Sequence, residues 1–296
     1  MDFQPVRAED KDIFEKYIRQ MDSRSCDMTF ATVYLWRDYY KPEYALADDL
    51  LVVRSDTDRQ SYSFPIGSAD PKRLIDGLKE HCRKQGVPLR LHNVYEKEVE
   101  YLEKNYPGEF EIHYERDSAD YVYNVEDLIE LRGKRYHGKK NHINKFVKNH
   151  DWVYEKITDD NVDECLAMLE EWKKVNDTAS NPEMEVEAEV CAQALKNLEF
   201  LEMQGGLIRA DGRIVAFSIG EKLNSDTYDI HYEKAFPDVQ GAYAIINQQM
   251  LIHEAQPQGC TYVNREEDTG DEGLRKAKES YHPVFMVEKA FATQIV

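Results

Sequence analysis

Two stretches of this 296-residue chain concentrate the polar side chains that chemistry requires. The first runs Asn264-Arg265-Glu266-Glu267-Asp268, with Arg275, Lys278 and Tyr281 following. It begins where a strand predicted to be central to a sheet ends, and ligands of open α/β sheets bind beyond the carboxyl ends of strands. Glu266 or Asp268 at such a place would hold a substrate amine or act as a base. Arg275 and Lys278 lie about one turn apart on a predicted helix, and Tyr281 completes the candidate catalytic set with the two acids. The same letters also fit a charged loop and a surface helix stabilised by ion pairs such as Glu272 with Lys276.

The second stretch is basic. From Arg132 to Lys148 there are seven Lys or Arg and no Asp or Glu, in a chain whose formal net charge is -19. Arg132, Lys134, Arg135, Lys139 and Lys140 are candidate phosphate ligands, because cations of this density displace the counterions of a polyanion. Tyr136, His137 and His142 would add ring surfaces for stacking. A solvated helix whose cations answer Asp117, Asp120, Glu126, Asp127 and Glu130 remains the competing reading. The strongly acidic remainder disfavours non-specific binding of nucleic acid or anionic lipid over most of the surface.

A third candidate is the turn Phe236-Pro-Asp-Val-Gln-Gly-Ala-Tyr-Ala, which follows a strand and opens a helix. Gln240, Gly241, Ala242 and Tyr243 would offer backbone N–H groups and a helix dipole to an anion. An ordinary helix start fits the same residues. His231, in Asp-Ile-His-Tyr-Glu, reads more readily as a satisfied core histidine than as a ligand. No GxSxG, HExxH, phosphate-loop or GxGxxG pattern occurs, and the five cysteines are dispersed with no CxxC pair, so no metal site is expected.

The elements that must position these residues repeat. In the first half, helices are predicted near residues 9 to 20 and 28 to 38, then strands at 44–47, 50–54 and 61–66. A helix follows from Pro71 to Gln85, with Asp70 as its cap and Gly86 at its end. A strand at 87–91, a helix at 96–105 and strands at 110–114 and 121–123 complete the half. The second half gives an amphipathic helix at 159–175, a helix capped by Asn181, and strands at 206–210 and 213–219 joined by the hairpin signal Asp211-Gly212. A strand at 227–232, a helix at 241–254, a strand at 260–264, a helix at 272–280 and a strand at 284–289 follow. Both halves thus read helix, helix, three strands, helix, strand, helix, strand, without a residue-level repeat. One larger α/β domain is the alternative. Between them, Asn124 with Asp127 caps a short helix, Gly133 breaks it, and a second helix places Tyr136, Ile143 and Val147 on one side.

This order of elements resembles the GNAT acyltransferase fold, in an α/β (α+β) class, as two tandem modules, each a mixed sheet flanked by helices. The expected boundaries are an N-terminal module at 1–124, a basic helical connector at 125–150 and a C-terminal module at 151–296. In GNAT enzymes the turn before Ala242 cradles the coenzyme A pyrophosphate with a Gln/Arg-x-x-Gly-x-Gly/Ala signature. Here Asp238 and Tyr243 stand at two of those places, so coenzyme A is the less expected donor.

Lys134-Arg135-Tyr136-His137, Lys139 to Asn144, Asn264 to Asp268, Gly273 to Lys278 and Tyr281-His282-Pro283 together resemble the DUF2156 family, which contains the C-terminal catalytic domain of phosphatidylglycerol lysyltransferases. The resemblance covers nearly the whole chain. It implies an aminoacyltransferase that takes its group from aminoacyl-tRNA and delivers it to a lipid or small-molecule acceptor, with no cofactor required. It also joins the connector and the Asn264 region into one site, with the two modules forming a cleft. A coenzyme A-dependent N-acyltransferase and a non-catalytic binder of a small amine or anion are the alternatives. No apolar run approaches the roughly 20 residues of a bilayer span, and the N-terminus is acidic and polar, so a cytoplasmic protein is expected.

Overall fold

The computed structural model describes residues 1–56 and 59–295. The chain forms two compact units that are interleaved in sequence: residues 1–120, 267–275 and 286–296 make the first, and residues 121–266 with 276–285 make the second.

In the first unit, β1 (Gln4–Pro5), β2 (Glu43–Ala47), β3 (Leu50–Ser55) and β4 (Ser61–Ser63) pair antiparallel in turn. The helix Lys72–Gln85 then carries the chain to β5 (Arg90–Val94), which runs parallel to β4. The helix is placed by local chemistry. An Asp70 carboxylate oxygen accepts the Lys72 N–H at 3.0 Å, and Gly86 closes the other end with φ +73°. Leu74, Ile75, Leu78 and Cys82 lie buried on its inner stripe, against Leu50, Val52, Tyr62 and Leu91 of the sheet. The helix Glu96–Asn105 leads to β6 (Phe110–Tyr114).

The second unit repeats the plan. The strands β8 (Trp152–Lys156), β9 (Gln204–Ala210), β10 (Arg213–Lys222) and β11 (Thr227–Ala235) are antiparallel neighbours. Asp211 and Gly212 turn the β9–β10 hairpin with φ +52° and +85°, the pair of left-handed residues that matches the twist of the strands. The helix Ala242–Met250 connects β11 to β12 (Tyr262–Asn264), which is parallel to β11. The helix Glu272–Glu279 precedes β13 (Phe285–Val287).

The final strand of each half belongs to the other sheet. β7 (Asp120–Asn124) lies between β12 and β13, and β14 (Ala290–Gln294) lies between β5 and β6. The consecutive boundaries at 124 and 150 are therefore corrected. Alternation in a short strand shows that it pairs, but its partner is set by contacts far away in sequence, which the local pattern does not encode. The predicted strand at 284–289 is in fact β13 and the approach to β14, and the strand expected at 87–91 sits three residues later as β5.

The basic connector is part of the second unit. The Asn124 side chain accepts the Asp127 N–H at 3.2 Å and caps the helix Val125–Glu130. A single turn at Lys134–Tyr136 then leads into the helix His137–Asn149. Ile143 and Phe146 bury the inner face of that helix while Val147 is exposed, so the predicted partner of Ile143 is three residues along rather than four. No helix among the described residues is long and apolar enough to cross a membrane.

Candidate active site

Strand β11 carries four acidic or basic side chains in nine residues, Asp229, His231, Glu233 and Lys234, and all four are buried or nearly so. Burying that much charge in a central strand is costly unless each group meets a partner. Each does.

The pairing of β10 with β11 has an irregularity that sets the geometry. Ile219 faces Tyr232 while Gly220 faces Ile230, which leaves His231 as the extra residue of a bulge. Bulges re-aim side chains, and this one turns the imidazole onto carboxylates. His231 Nε2 lies 2.9 Å from Glu221 Oε1, and Nδ1 lies 2.9 Å from Glu266 Oε1 and 3.8 Å from Asp229 Oδ2. Burial alone would lower the histidine pKa. The charge of Asp229 and the hydrogen bonds to Glu221 and Glu266 overcome it and hold the ring protonated, well above the ordinary histidine value. Asp229, His231 and Glu266 bring ligand atoms close enough together for a metal ion. An imidazolium donates from both nitrogens, so a metal ion bound there would first have to displace a proton. Three carboxylates around one imidazolium leave a surplus of negative charge. Glu266 and Glu221, 27% and 16% exposed in their side chains, are its outward members. An ammonium group suits such a place.

Glu266 itself has φ +58°, and its N–H is held by Asn264 Oδ1 at 2.6 Å, so buried Asn264 acts as a brace for the turn. Arg265, the residue before it, looks elsewhere. Its Nη2 donates to Glu233 Oε1 at 3.0 Å, and Asn247 Nδ2 donates to Glu233 Oε2 at 3.1 Å. The guanidinium lies 4.8 Å from the centre of the Tyr281 ring, and its Nη1 is buried with no hydrogen-bond partner among the described residues. Lys139 reaches the same ring from the connector helix, with Nζ 3.8 Å from the ring centre. Burial, and then the nearby charge of Arg265, lower its pKa to about 8, against the opposing pull of Glu233. Burial likewise raises Tyr281 to about 12, so its hydroxyl stays protonated. Lys278 donates to the Arg265 carbonyl oxygen at 2.6 Å, and Tyr123 donates to that of Lys278 at 2.8 Å. Alternation along β10 puts Glu221 and Ser218 on opposite faces, and their cross-strand partners Asp229 and Glu233 go with them. The acidic and basic groups thus spring from opposite faces of one sheet, joined by the adjacent pair Arg265 and Glu266.

The structure treats the remaining candidates differently. Asp268 is not a free acid. It is fully buried in the first unit, where Arg275 Nε and Nη2 donate to its two oxygens at 2.9 and 2.8 Å and Arg116 Nη1 donates at 3.1 Å. Arg275 also binds Asp117 at 2.7 Å. These residues therefore brace a loop, and neither a catalytic Asp268 nor a substrate-binding Arg275 is supported by their surroundings. Glu267 also falls in the first unit. Lys289 there meets Asp27 and Asp120, each at 2.7 Å, beside Cys26.

In the basic run, Arg132 pairs with Glu130, and Arg135 with Asp127 at 3.0 Å. Lys134, Lys140, Lys145 and Lys148 are exposed, and none forms an ion pair within 4 Å among the described residues; nor does Lys139. His137 and His142 are exposed on the same helix. At the turn, Gly241 has φ +93°, and a Cβ there would stand 2.5 Å from the His142 carbonyl oxygen. The connector helix packs directly on the loop at that point, so the space beside Gln240, Gly241, Ala242 and Tyr243 is partly filled by protein backbone.

Sequence reasoning did not select Glu221, Asp229 or Glu233, and it gave His231 little weight. The available signal was the density of ionisable residues in Thr227–Ala235, in a run otherwise apolar enough to be central.

The fold, two mixed sheets each flanked by helices, is that of tandem GNAT proteins. The family model described as phosphatidylglycerol lysyltransferase, C-terminal, matches residues 18–292, and the chain belongs to that family of acyltransferase domains. A conserved protein of unknown function from Bacteroides thetaiotaomicron, solved by crystallography, is 36% identical, with a TM-score of 0.93 and coverage of 100% of both chains. A C-terminal domain of the DUF2156 class from Agrobacterium fabrum is 15% identical, with a TM-score of 0.68 over 98% of this chain and 93% of that one. An uncharacterized protein of Mycoplasmoides gallisepticum is 24% identical over 200 residues, which span 65% of this chain and 60% of that protein, under two thirds of its length.

Proposed function

We propose that the protein transfers an aminoacyl group from aminoacyl-tRNA to a lipid or small-molecule acceptor. The observation that carries this reading is the helix His137–Asn149. It bears four lysines, Lys139, Lys140, Lys145 and Lys148, with no ion pair within 4 Å among the described residues, in a chain of net charge -19. Acidic proteins have many carboxylates to spare for their cations. A helix left unanswered in this way suits a polyanion from outside, and RNA phosphates release counterions on meeting it.

In this reading Glu266 and Glu221 receive the ammonium of the amino acid, with His231 fixing both carboxylates by its two N–H groups. The ester of an aminoacyl-tRNA is already activated, so positioning carries much of the rate. The acceptor's lone pair forms the new bond to the ester carbonyl carbon, the bond to the ribose oxygen breaks, and that oxygen takes up the proton that the acceptor gives up. Membership of the lysyltransferase family supports an aminoacyl donor and a lipid acceptor. Asp238 in the turn and the His142 carbonyl against Gly241 weigh against coenzyme A as donor, and the chemistry described asks for no cofactor.

The test is turnover of tRNA charged with a radiolabelled amino acid, offered with lipid dispersions and small amines as acceptors. Protein-dependent transfer of label is expected, with E266Q raising KM for the donor about tenfold through loss of one charge-assisted contact. If label stays on the tRNA with every acceptor, or if acetyl-coenzyme A is consumed instead, the reading fails.

A further inference from the structure

Arg265 and Lys139 bring two positive charges to the Tyr281 ring, and Glu233 supplies one negative charge in return. Arg265 is 12% exposed in its side chain, and its Nη1 is buried without a hydrogen-bond partner among the described residues. Lys139 has the face of Tyr281 and no carboxylate within 4 Å among those residues. An uncompensated charge withdrawn from water is costly, and a guanidinium N–H left without an acceptor adds to the cost. A protein with a large acidic surplus has not placed a second carboxylate here. Such a place is complete only when an anion brings the missing charge.

We propose that Arg265, Lys139 and the Tyr281 ring form a binding site for a phosphodiester, the one nearest the aminoacylated end of the donor RNA. This rests on the aminoacyl-tRNA reading above and adds the contact point. The charge must be permanent, because the cations are present before any reaction starts; an ester carbonyl carries none in its ground state and gains it only in passing. A guanidinium fork with a neighbouring ammonium is the usual reception for phosphate oxygens. Lys139 belongs to the same helix as Lys140, Lys145 and Lys148, so a strand that tracks that helix is led to it by further cations. Tyr281 offers a ring at the same point, and nucleic acid bases stack on such rings. Burial, then the charge of Arg265, and against them Glu233 set the charge state of Lys139; the Tyr281 ring faces its ammonium, and Lys278 is bound to the backbone of Arg265.

The experiment follows the Lys139 ammonium by NMR in the whole protein while inorganic phosphate, and separately adenosine 5′-monophosphate, is added. Bound phosphate should return the Lys139 pKa from about 8 toward 10.5, its ordinary value. K139M should weaken nucleotide binding about tenfold, the loss of one charge-assisted hydrogen bond, while K174M, at an exposed lysine of the helix Val162–Val175, leaves it within about twofold. An unmoved Lys139 at saturating phosphate, or equal loss in both variants, overturns the site. Transfer from aminoacyl-tRNA that proceeds while phosphate leaves Lys139 unmoved would sink only this site. A Lys139 shift without any transfer would uphold the site and remove the aminoacyl-tRNA reading.

Discussion

His231 Nδ1 and Glu266 Oε1 lie 2.9 Å apart, and the imidazole that joins them reaches Glu221 with its other nitrogen at the same distance. Both bonds need the ring protonated, since a neutral histidine has one N–H to give. The folded pKa is raised above the unfolded value of about 6.5. The stabilisation from this ion pair network is therefore fully present below pH 6.5 and is lost as the pH climbs through the folded value. Imidazole nitrogen chemical shifts should report His231 as charged at pH 7.5. A neutral His231 at that pH would contradict the cage.

Lys139 predicts the opposite sign. Its folded pKa of about 8 lies below the ordinary 10.5, so the unfolded chain binds the proton more tightly. Its burial costs stability below pH 8, and the cost fades as the pH rises from 8 toward 10.5. K139M should accordingly be more stable than the wild type at pH 7, by about 1 kcal/mol after discounting for the half of the side chain that remains in water. The gap should close by pH 10.5. Chemical denaturation at both pH values checks it, and a destabilised K139M at pH 7 would show that Lys139 has a partner.

Asp268 should behave as a structural residue. D268N removes the charge that Arg116 and Arg275 share, leaving their guanidinium groups without it. A loss of about 2 kcal/mol is expected, from charge-assisted hydrogen bonds reduced to neutral ones. Thermal unfolding gives the stability, and donor KM measured below the melting range should be unchanged. A shifted KM in a fully folded D268N would restore Asp268 to the substrate site.

Gly241 tests the packing of the connector helix on the turn. G241A brings a Cβ to 2.5 Å from the His142 carbonyl and 3.1 Å from Phe146 Cβ, at a φ of +93° that alanine resists. A destabilisation of about 2–3 kcal/mol follows, since backbone must move to make room. A neutral G241A in thermal unfolding would mean that the helix does not press on the turn.

Much of this fold was legible in the letters because its cues are local. Asp211-Gly212 wrote its own hairpin, Gly86 its helix end, and Asn124 its cap. The exchange of β7 and β14 between sheets was not legible, because a five-residue strand carries no address for a partner more than a hundred residues away. The site divided in the same way. Glu266, Arg265 and Tyr281 stood out as a cluster in sequence, and so did Lys139. Their partners Glu221, Asp229, His231 and Glu233 sit inside strands, where an isolated acid or histidine looks like any core exception until pairing and the bulge at His231 bring them together. Asp268 misled for the reverse reason: it is adjacent to Glu266 in sequence but spends its charge on Arg116 and Arg275.

The central claim is that the lysines of His137–Asn149 receive the donor RNA, and salt-dependent filter binding with aminoacyl-tRNA tests it most directly. Wild-type protein should bind at low salt and lose affinity steeply as salt is added. The triple variant K140Q/K145Q/K148Q should bind more weakly, with a logarithmic salt slope smaller by roughly 0.7–0.9 for each lysine that meets a phosphate. No binding at low salt, or an unchanged slope in the triple variant, would contradict it.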